Sequence, residues 1–236
     1  MAEEPTGDVD TVEKDIVDAV EEDKPEPDPA REAVVEALAD AIGSALVGTH
    51  IKPGLDTTVR VARDAWSETL AYLKNVQGYR WLEFLSAIDW LPSPFGRDME
   101  AEQDWIVHGR DEKDLPAMQT GLAGGDTRFQ VFARLMNIDT HMGITIKADL
   151  PDDDVSVDSV VAVFAGVEWH EREAWEMFGI HFNNHPDLRA LYLPTGFEGN
   201  PLRKDFPLLA RRVKPWPGIV DVEPMPGGDD EEGDAT

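Results

Sequence analysis

The sequence predicts an α+β domain, a mostly antiparallel sheet with flanking helices, followed by a long extended Pro-rich C-terminal arm. Three observations carry this. Two nine-residue runs, Phe129–Asn137 and Met142–Leu150, alternate apolar side chains (Phe129, Val131, Ala133, Leu135, then Ile144, Ile146) and are separated by a turn near Asp139, which is the pattern of a hairpin. Helical spacing is confined to the early part of the chain and one late stretch, so strands and helices do not alternate as a parallel fold requires. Prolines then recur at 186, 194, 201, 207, 215, 217, 224 and 226, which rules out regular helix of any length beyond that point.

Residues 30–47 read as an amphipathic helix, because Ala33, Val34, Ala37, Leu38, Ala41, Ile42 and Ala45 recur at spacings of three and four, with Gly48 placed to stop it. Residues 57–61 have strand composition and lead into a helix over 62–76, with Trp66, Leu70 and Leu73 on one face and Gly78 as the breaker. The stretch 81–91 has too many large apolar residues for a surface element and predicts a core strand, preceded by the end of a helix. Residues 92–125 are polar and aperiodic, long for a loop in a compact domain, so a strand is expected around 105–107. Residues 157–165 are apolar and β-branched, which fits strand and helix alike. Residues 169–178 read as a helix: Glu168 and Arg172 form an i, i+4 pair, Trp175 and Phe178 share a face, and Gly179 ends it.

The two ends differ from the middle. Residues 1–29 carry twelve acids against Lys14 and Lys24, and residues 221–236 carry seven acids and no base, out of a formal net charge of −27 for 236 residues. Large apolar side chains are scarce in both, so disordered acidic termini are expected, although residues 9–20 have the composition of a transient helix. A sharper reading makes the N-terminal tail an acidic arm that docks on a basic partner. The predicted organisation is a tail over 1–29, an α+β domain over 30–182, an extended docking arm over 183–220 and a second tail over 221–236.

So acidic a surface argues against nucleic acid as a partner, since that affinity comes from Lys and Arg neutralising phosphates. Cysteine is absent, which excludes disulfides, thiolate zinc sites, a cysteine nucleophile and protein-held iron–sulfur clusters. No apolar run approaches the ~20 residues of a membrane span, and the N-terminus lacks the basic and apolar regions of a signal peptide, so the chain is expected to be made and kept in the cytoplasm.

Gly121, Gly124 and Gly125 do not form G-x-G-x-x-G, and no phosphate-cradling loop is present, so this chain is not expected to bind NADH or another small-molecule substrate. The string from His170 to Ala174 lacks the second His of H-E-x-x-H, which leaves His170, Glu171, Glu173, His181 and His185 as a weak metal set. No G-x-S-x-G elbow exists at any Ser. What remains is the segment 169–182, then His185 to Arg189, then 199–208. It mixes buried-type aromatics with fixed charges on a chain that proline keeps from folding on itself, a combination that describes a docking arm. The alternative is that the helix packs on its own sheet and the arm wraps its own domain.

Glu171, Arg172 and Glu173, followed by Glu176, Met177, Phe178, His185, Arg189, Leu191 and Tyr192, closely resemble the signature of the C-type subunit of NADH:quinone oxidoreductase, respiratory complex I. The later run Pro201, Leu202, Arg203, Lys204, Asp205, Phe206, Pro207, Leu208 resembles that family's second hallmark. Asn184 and Asn200 stand where the family more often has Gly and His, and the insertion over 92–125 is longer than usual. The resemblance implies a non-catalytic structural component of the peripheral arm, lying against the D-type subunit and near the B- and I-type subunits, on the cytoplasmic side of the cell membrane. It implies no catalytic residue, cofactor or metal in this chain, with FMN, iron–sulfur clusters, NADH and a quinone used by other subunits. Glu171, Arg172, Glu173, Glu176, Phe178, His185, Arg189, Arg203, Lys204, Asp205 and Phe206 would be the signature and partner-docking residues. Two alternatives stay open: the equivalent subunit of a membrane-bound hydrogenase or of a quinone dehydrogenase with another donor, and a free-standing metal-dependent hydrolase using His170, Glu173, His181 and His185.

Overall fold

A computed structural model describes residues 27–92 and 116–206. The expected acidic tails, the expected strand around 105–107 and the arm from Pro207 onward lie outside the described residues, except for 27–29, where the expected tail gives way to a helix that begins at Pro29.

Helix α1 (Pro29–Ile42) starts where the Asp28 carboxylate accepts the Arg31 amide at 3.2 Å and a proline occupies the first turn. It ends at Gly43, not at Gly48: Gly43 takes φ 55° and ψ −125°, a conformation that a Cβ disfavours. A 3-10 turn follows, and Leu46–His50 forms strand β1 rather than more helix. The helical reading of this stretch failed because Ala45 continues the apolar stripe, while the period-two burial of β1 is only five residues long and is interrupted by a bulge between Leu46 and Gly48.

Strand β2 (Thr57–Val61) has the expected bounds, helix α2 (Trp66–Asn75) begins after a 3-10 turn over Arg63–Ala65 instead of at 62, and strand β3 (Trp81–Asp89) ends two residues short of 91. Strands β4 (Phe129–Asn137) and β5 (Met142–Leu150) form the hairpin with the expected bounds. The five strands lie in the order β1-β2-β5-β4-β3, antiparallel except for the parallel pairing of β2 with β5. One face supplies Val59, Val61, Leu85, Val131, Ala133, Leu135, Ile144, Ile146 and Ala148 to the core, all nearly or fully buried with Trp66, Leu70 and Leu73 of α2. Each such aliphatic side chain contributes about 1.5–3 kcal/mol by leaving water, so this sandwich of sheet and helix is the main source of stability.

The second half of the domain is framed differently. Strand β6 (Ser156–Asp158) pairs in parallel with β7 (His181–Asn183), and between them helix α3 (Val167–Phe178) crosses over and packs on β3. The ambiguous stretch 157–165 is therefore a short strand followed by turns. Gly179 ends α3 in the left-handed conformation, φ 74°. Beyond Asn183 there is no regular element among the described residues. Residues 116–126 return over the outer face of the sheet, where Lys147 donates to the Leu122 carbonyl at 3.0 Å and Gln130 to that of Gly124 at 3.0 Å.

Candidate functional site

Charged side chains along α3 hold the backbone of the chain that follows it. The Glu176 carboxylate accepts three successive amides, Leu191 at 2.9 Å, Tyr192 at 2.8 Å and Leu193 at 2.7 Å. Burial opposes its charge, but the three amides, with Arg172 nearby, outweigh it and keep the carboxyl below the usual range. One turn earlier, Arg172 donates to the carbonyls of Arg189 at 3.0 Å and Ala190 at 3.2 Å, with Glu168 3.8 Å from its guanidinium. The i, i+4 pair read from the sequence exists, but it is loose; the guanidinium is used mainly on the arm.

The arm returns the contact. The last carbonyls of α3 have no partner inside the helix. Asn200 donates its amide to Glu176 O at 2.9 Å, the Leu202 N–H to Met177 O at 3.1 Å, and the Arg203 Nε to Phe178 O at 2.6 Å. Gly179 is required beneath them: a Cβ there would lie 2.7 Å from Arg203 Nη2 and 2.8 Å from Asn200 Oδ1. A cation at a helix C-terminus is also favoured by the helix dipole.

Arg203 lies 5.0 Å from the centroid of the Phe129 ring, and Arg128 lies 4.6 Å from the same ring. Arg128 in turn grips the fully buried Asp89 carboxylate at 2.9 and 2.7 Å and reaches Asp205 at 2.9 Å. Asp89 also accepts the amides of Lys204 at 2.8 Å and Leu91 at 3.0 Å. Burial pushes its carboxyl up, but Arg128 and the two amides reverse this and leave it lowered.

At the opposite end of α3, the Glu171 side chain is fully buried and accepts the Ser159 hydroxyl at 2.6 Å and the Val160 amide at 2.7 Å. Burial dominates there and pushes the carboxyl up to about 7 despite both donors. The buried His185 imidazole sits 3.8 Å away. Of the remaining signature residues, Phe178 is in the core, Glu173 is half-buried on α3, Arg189 forms an exposed pair with Asp187 at 2.8 Å, and the Phe206 ring lies 6.0 Å from Phe197.

The arm therefore does fold on its own domain as far as Phe206. Proline removes regular hydrogen bonding, but irregular backbone can still be satisfied by the side chains of a neighbouring helix, and here it is. Sequence reasoning also passed over Ser159, Arg128 and Asp89, and read Asn200 only as a departure from the family pattern. Asp89 alone gave a signal, as a charge at the end of an otherwise apolar strand. The hydrolase set does not assemble: His181 is exposed, both ring nitrogens of His185 face protein partners, and among the described residues no three His, Asp or Glu side chains gather as a metal would need. Four large apolar side chains of α3 and the arm are exposed, Trp169 at 65%, Tyr192 at 62%, Leu202 at 48% and Phe197 at 42%.

Residues 59–212, more than half of the chain, match the family described as respiratory-chain NADH dehydrogenase, 30 Kd subunit. An NADH-quinone oxidoreductase C/D subunit of Cronobacter sakazakii is 42% identical over 110 residues, 47% of this chain and 18% of that one. The C/D subunit of Pseudomonas fluorescens is 35% identical over 156 residues, 66% of this chain and 22% of that one. The chain thus spans about a fifth of the length of these curated relatives. A chain of the membrane-bound sulfane sulfur reductase, an archaeal respiratory membrane complex, superimposes with a TM-score of 0.56 at 17% identity, covering 87% of this chain and 99% of that one, and so shares the fold. Family match, relatives and fold converge: this chain belongs to the family of the 30 Kd subunit of respiratory-chain NADH dehydrogenase.

Proposed function

We propose that the chain is a non-catalytic structural subunit of the peripheral arm of a proton-translocating NADH:quinone oxidoreductase, supporting assembly of the quinone-reducing module against a D-type subunit, with B- and I-type subunits nearby. The observation that carries this reading is the use to which its buried charges are put. Glu176, Arg172 and Asp89 are bonded to the chain's own backbone or to a structural arginine, so they stiffen a surface instead of facing a reactant. Trp169 of α3 and Tyr192 and Leu202 of the arm that it holds are exposed, the kind of aromatic and aliphatic anchors that interfaces use. The relatives' designation C/D joins two subunits in a single name, which favours the D-type subunit as the neighbour. FMN, iron–sulfur clusters, NADH and quinone would be held by other subunits. No helix among the described residues is long and apolar enough to cross a membrane, which fits peripheral attachment on the cytoplasmic side through those partners.

Tagged purification from the native membrane in mild detergent tests this: a D-type subunit should co-elute, and the pure chain should carry no flavin or iron–sulfur absorbance. Elution of the chain alone, or a cofactor spectrum that follows it, overturns the reading. The fold also occurs in a sulfane sulfur reductase complex, so a complex fed by another donor is the second reading; an NADH-binding flavoprotein in the eluate decides for the first.

A further inference from the structure

The Glu171–His185 contact is a place where the arm meets the domain through two titratable groups, and the structural role proposed above does not use it. Both side chains are fully buried. The protonation pattern of the imidazole follows from its neighbours. The Asp187 amide can only donate, and it does so to Nδ1 at 3.0 Å, so Nδ1 carries a lone pair and the ring proton sits on Nε2. That Nε2–H has two acceptors within reach, the Glu168 carbonyl at 3.3 Å and Glu171 Oε2 at 3.8 Å. It is committed to neither by a short hydrogen bond.

We propose that His185 is a two-position contact that reports the ionisation of Glu171: its Nε2–H rests on the Glu168 carbonyl while Glu171 is protonated and moves to the Glu171 carboxylate when that proton leaves. The proton lost by Glu171 goes to solvent. It does not go to His185, because Nε2 is already protonated and adding a proton at Nδ1 would break the bond from Asp187. A bare carboxylate at this buried position has only the Ser159 hydroxyl and the Val160 amide as donors, so a third donor 3.8 Å away is strongly attracted.

Other charges around Glu171 are occupied. On α3, Glu168 faces Arg172, whose guanidinium is turned to the carbonyls of Arg189 and Ala190, while His170 and Glu173 lie on other faces by helical spacing. From the arm, Asp187 pairs with Arg189. From β6 and β7, Asp158 accepts from Asn183, and His181 lies exposed beside Asp154. From β3, Glu83 pairs with Arg134 and Asp89 with Arg128. Lys74 of α2 is bonded to the Val163 carbonyl. With the Glu171 carboxyl pushed up to about 7 by burial, the contact changes position near neutral pH.

The test is a titration of the full chain labelled with 15N and 13C from pH 5 to 9, following the His185 ring nitrogens, its Nε2-bound proton and the Glu171 carboxyl carbon. The expected result is one step near neutrality, shared by the Nε2–H and the carboxyl carbon. In Glu171→Gln the Nε2–H step should vanish. Should that variant fail to fold, the coincidence of the two wild-type steps decides. A flat titration, a step in which Nδ1 gains the proton, or an unchanged step in Glu171→Gln each overturns the proposal.

Discussion

The sheet with α2 and the clasp between α3 and the arm are held together by opposite means. In the first, Leu135, Ile144, Ile146 and Trp66 meet with no charge between them. In the second, the buried groups are carboxylates and guanidinia, and their partners are mostly backbone amides and carbonyls. An apolar core gains by excluding water and tolerates shifts of a few tenths of an ångström. A buried charge gains only if every lone pair and proton meets a partner, so the clasp is specific in geometry and sensitive to single changes.

The largest effect should come from the apolar side. Trp66→Ala removes a fully buried indole and is expected to cost about 3–5 kcal/mol of global stability, lowering the midpoint in both thermal and denaturant unfolding. A loss confined to the arm, with the core melting unchanged, would contradict this division of the molecule.

Next in size is a pH effect belonging only to the clasp. The folded state raises the Glu171 carboxyl from 4.5 to about 7, so between these values the folded chain binds more protons than the unfolded one, and stability falls as pH rises. The effect is on the order of 3 kcal/mol across that window, from about 1.4 kcal/mol per pH unit. Glu176 and Asp89 work in the other direction: their lowered carboxyls stabilise the fold above the usual carboxylate range, and that contribution is lost on acidification. Urea unfolding between pH 5 and 8 should show the decline in wild type and a flatter profile in Glu171→Gln.

Glu176→Gln should cost about 1–2 kcal/mol, because a single amide oxygen replaces a carboxylate accepting three amides. The signature is local: exchange of the Leu191, Tyr192 and Leu193 amides accelerates while that of Ile146 does not. The smallest effect is that of Arg203→Ala, about 1 kcal/mol in the isolated chain from loss of the bond to Phe178 O and of the contact with Phe129. An isolated mutant that melts like wild type would return Arg203 to the role suggested by sequence, a residue needed only by a partner.

The same contrast governs what could be read from the sequence. The hairpin β4–β5 was legible to the residue because alternation of Val131, Ala133, Leu135 with their neighbours is a period-two signal nine residues long. Helix α3 was legible from spacing and from Gly179. Strand β1 was not, since only the short turn Gly43–Ala45 separates it from α1 and Ala45 continues the apolar stripe. Glu171, Arg172, Glu176 and Arg203 stood out as a group, but their partners are main-chain atoms of residues 15 to 25 positions away or, for Glu171, a serine and an amide in a turn. Main-chain atoms are common to every residue type and leave no trace in composition.

That choice of partners has a consequence for how the surface can be varied. Because Glu176 and Arg172 grip the N–H and C=O groups of residues 189–193, the path of the arm is indifferent to which side chains it displays there, proline excepted at the three donating positions. Tyr192 is mounted on a rail that does not depend on it. The exposed face can therefore be re-tailored one residue at a time to a changing neighbour, while the two side chains that lay the rail, Glu176 and Arg172, are committed to it.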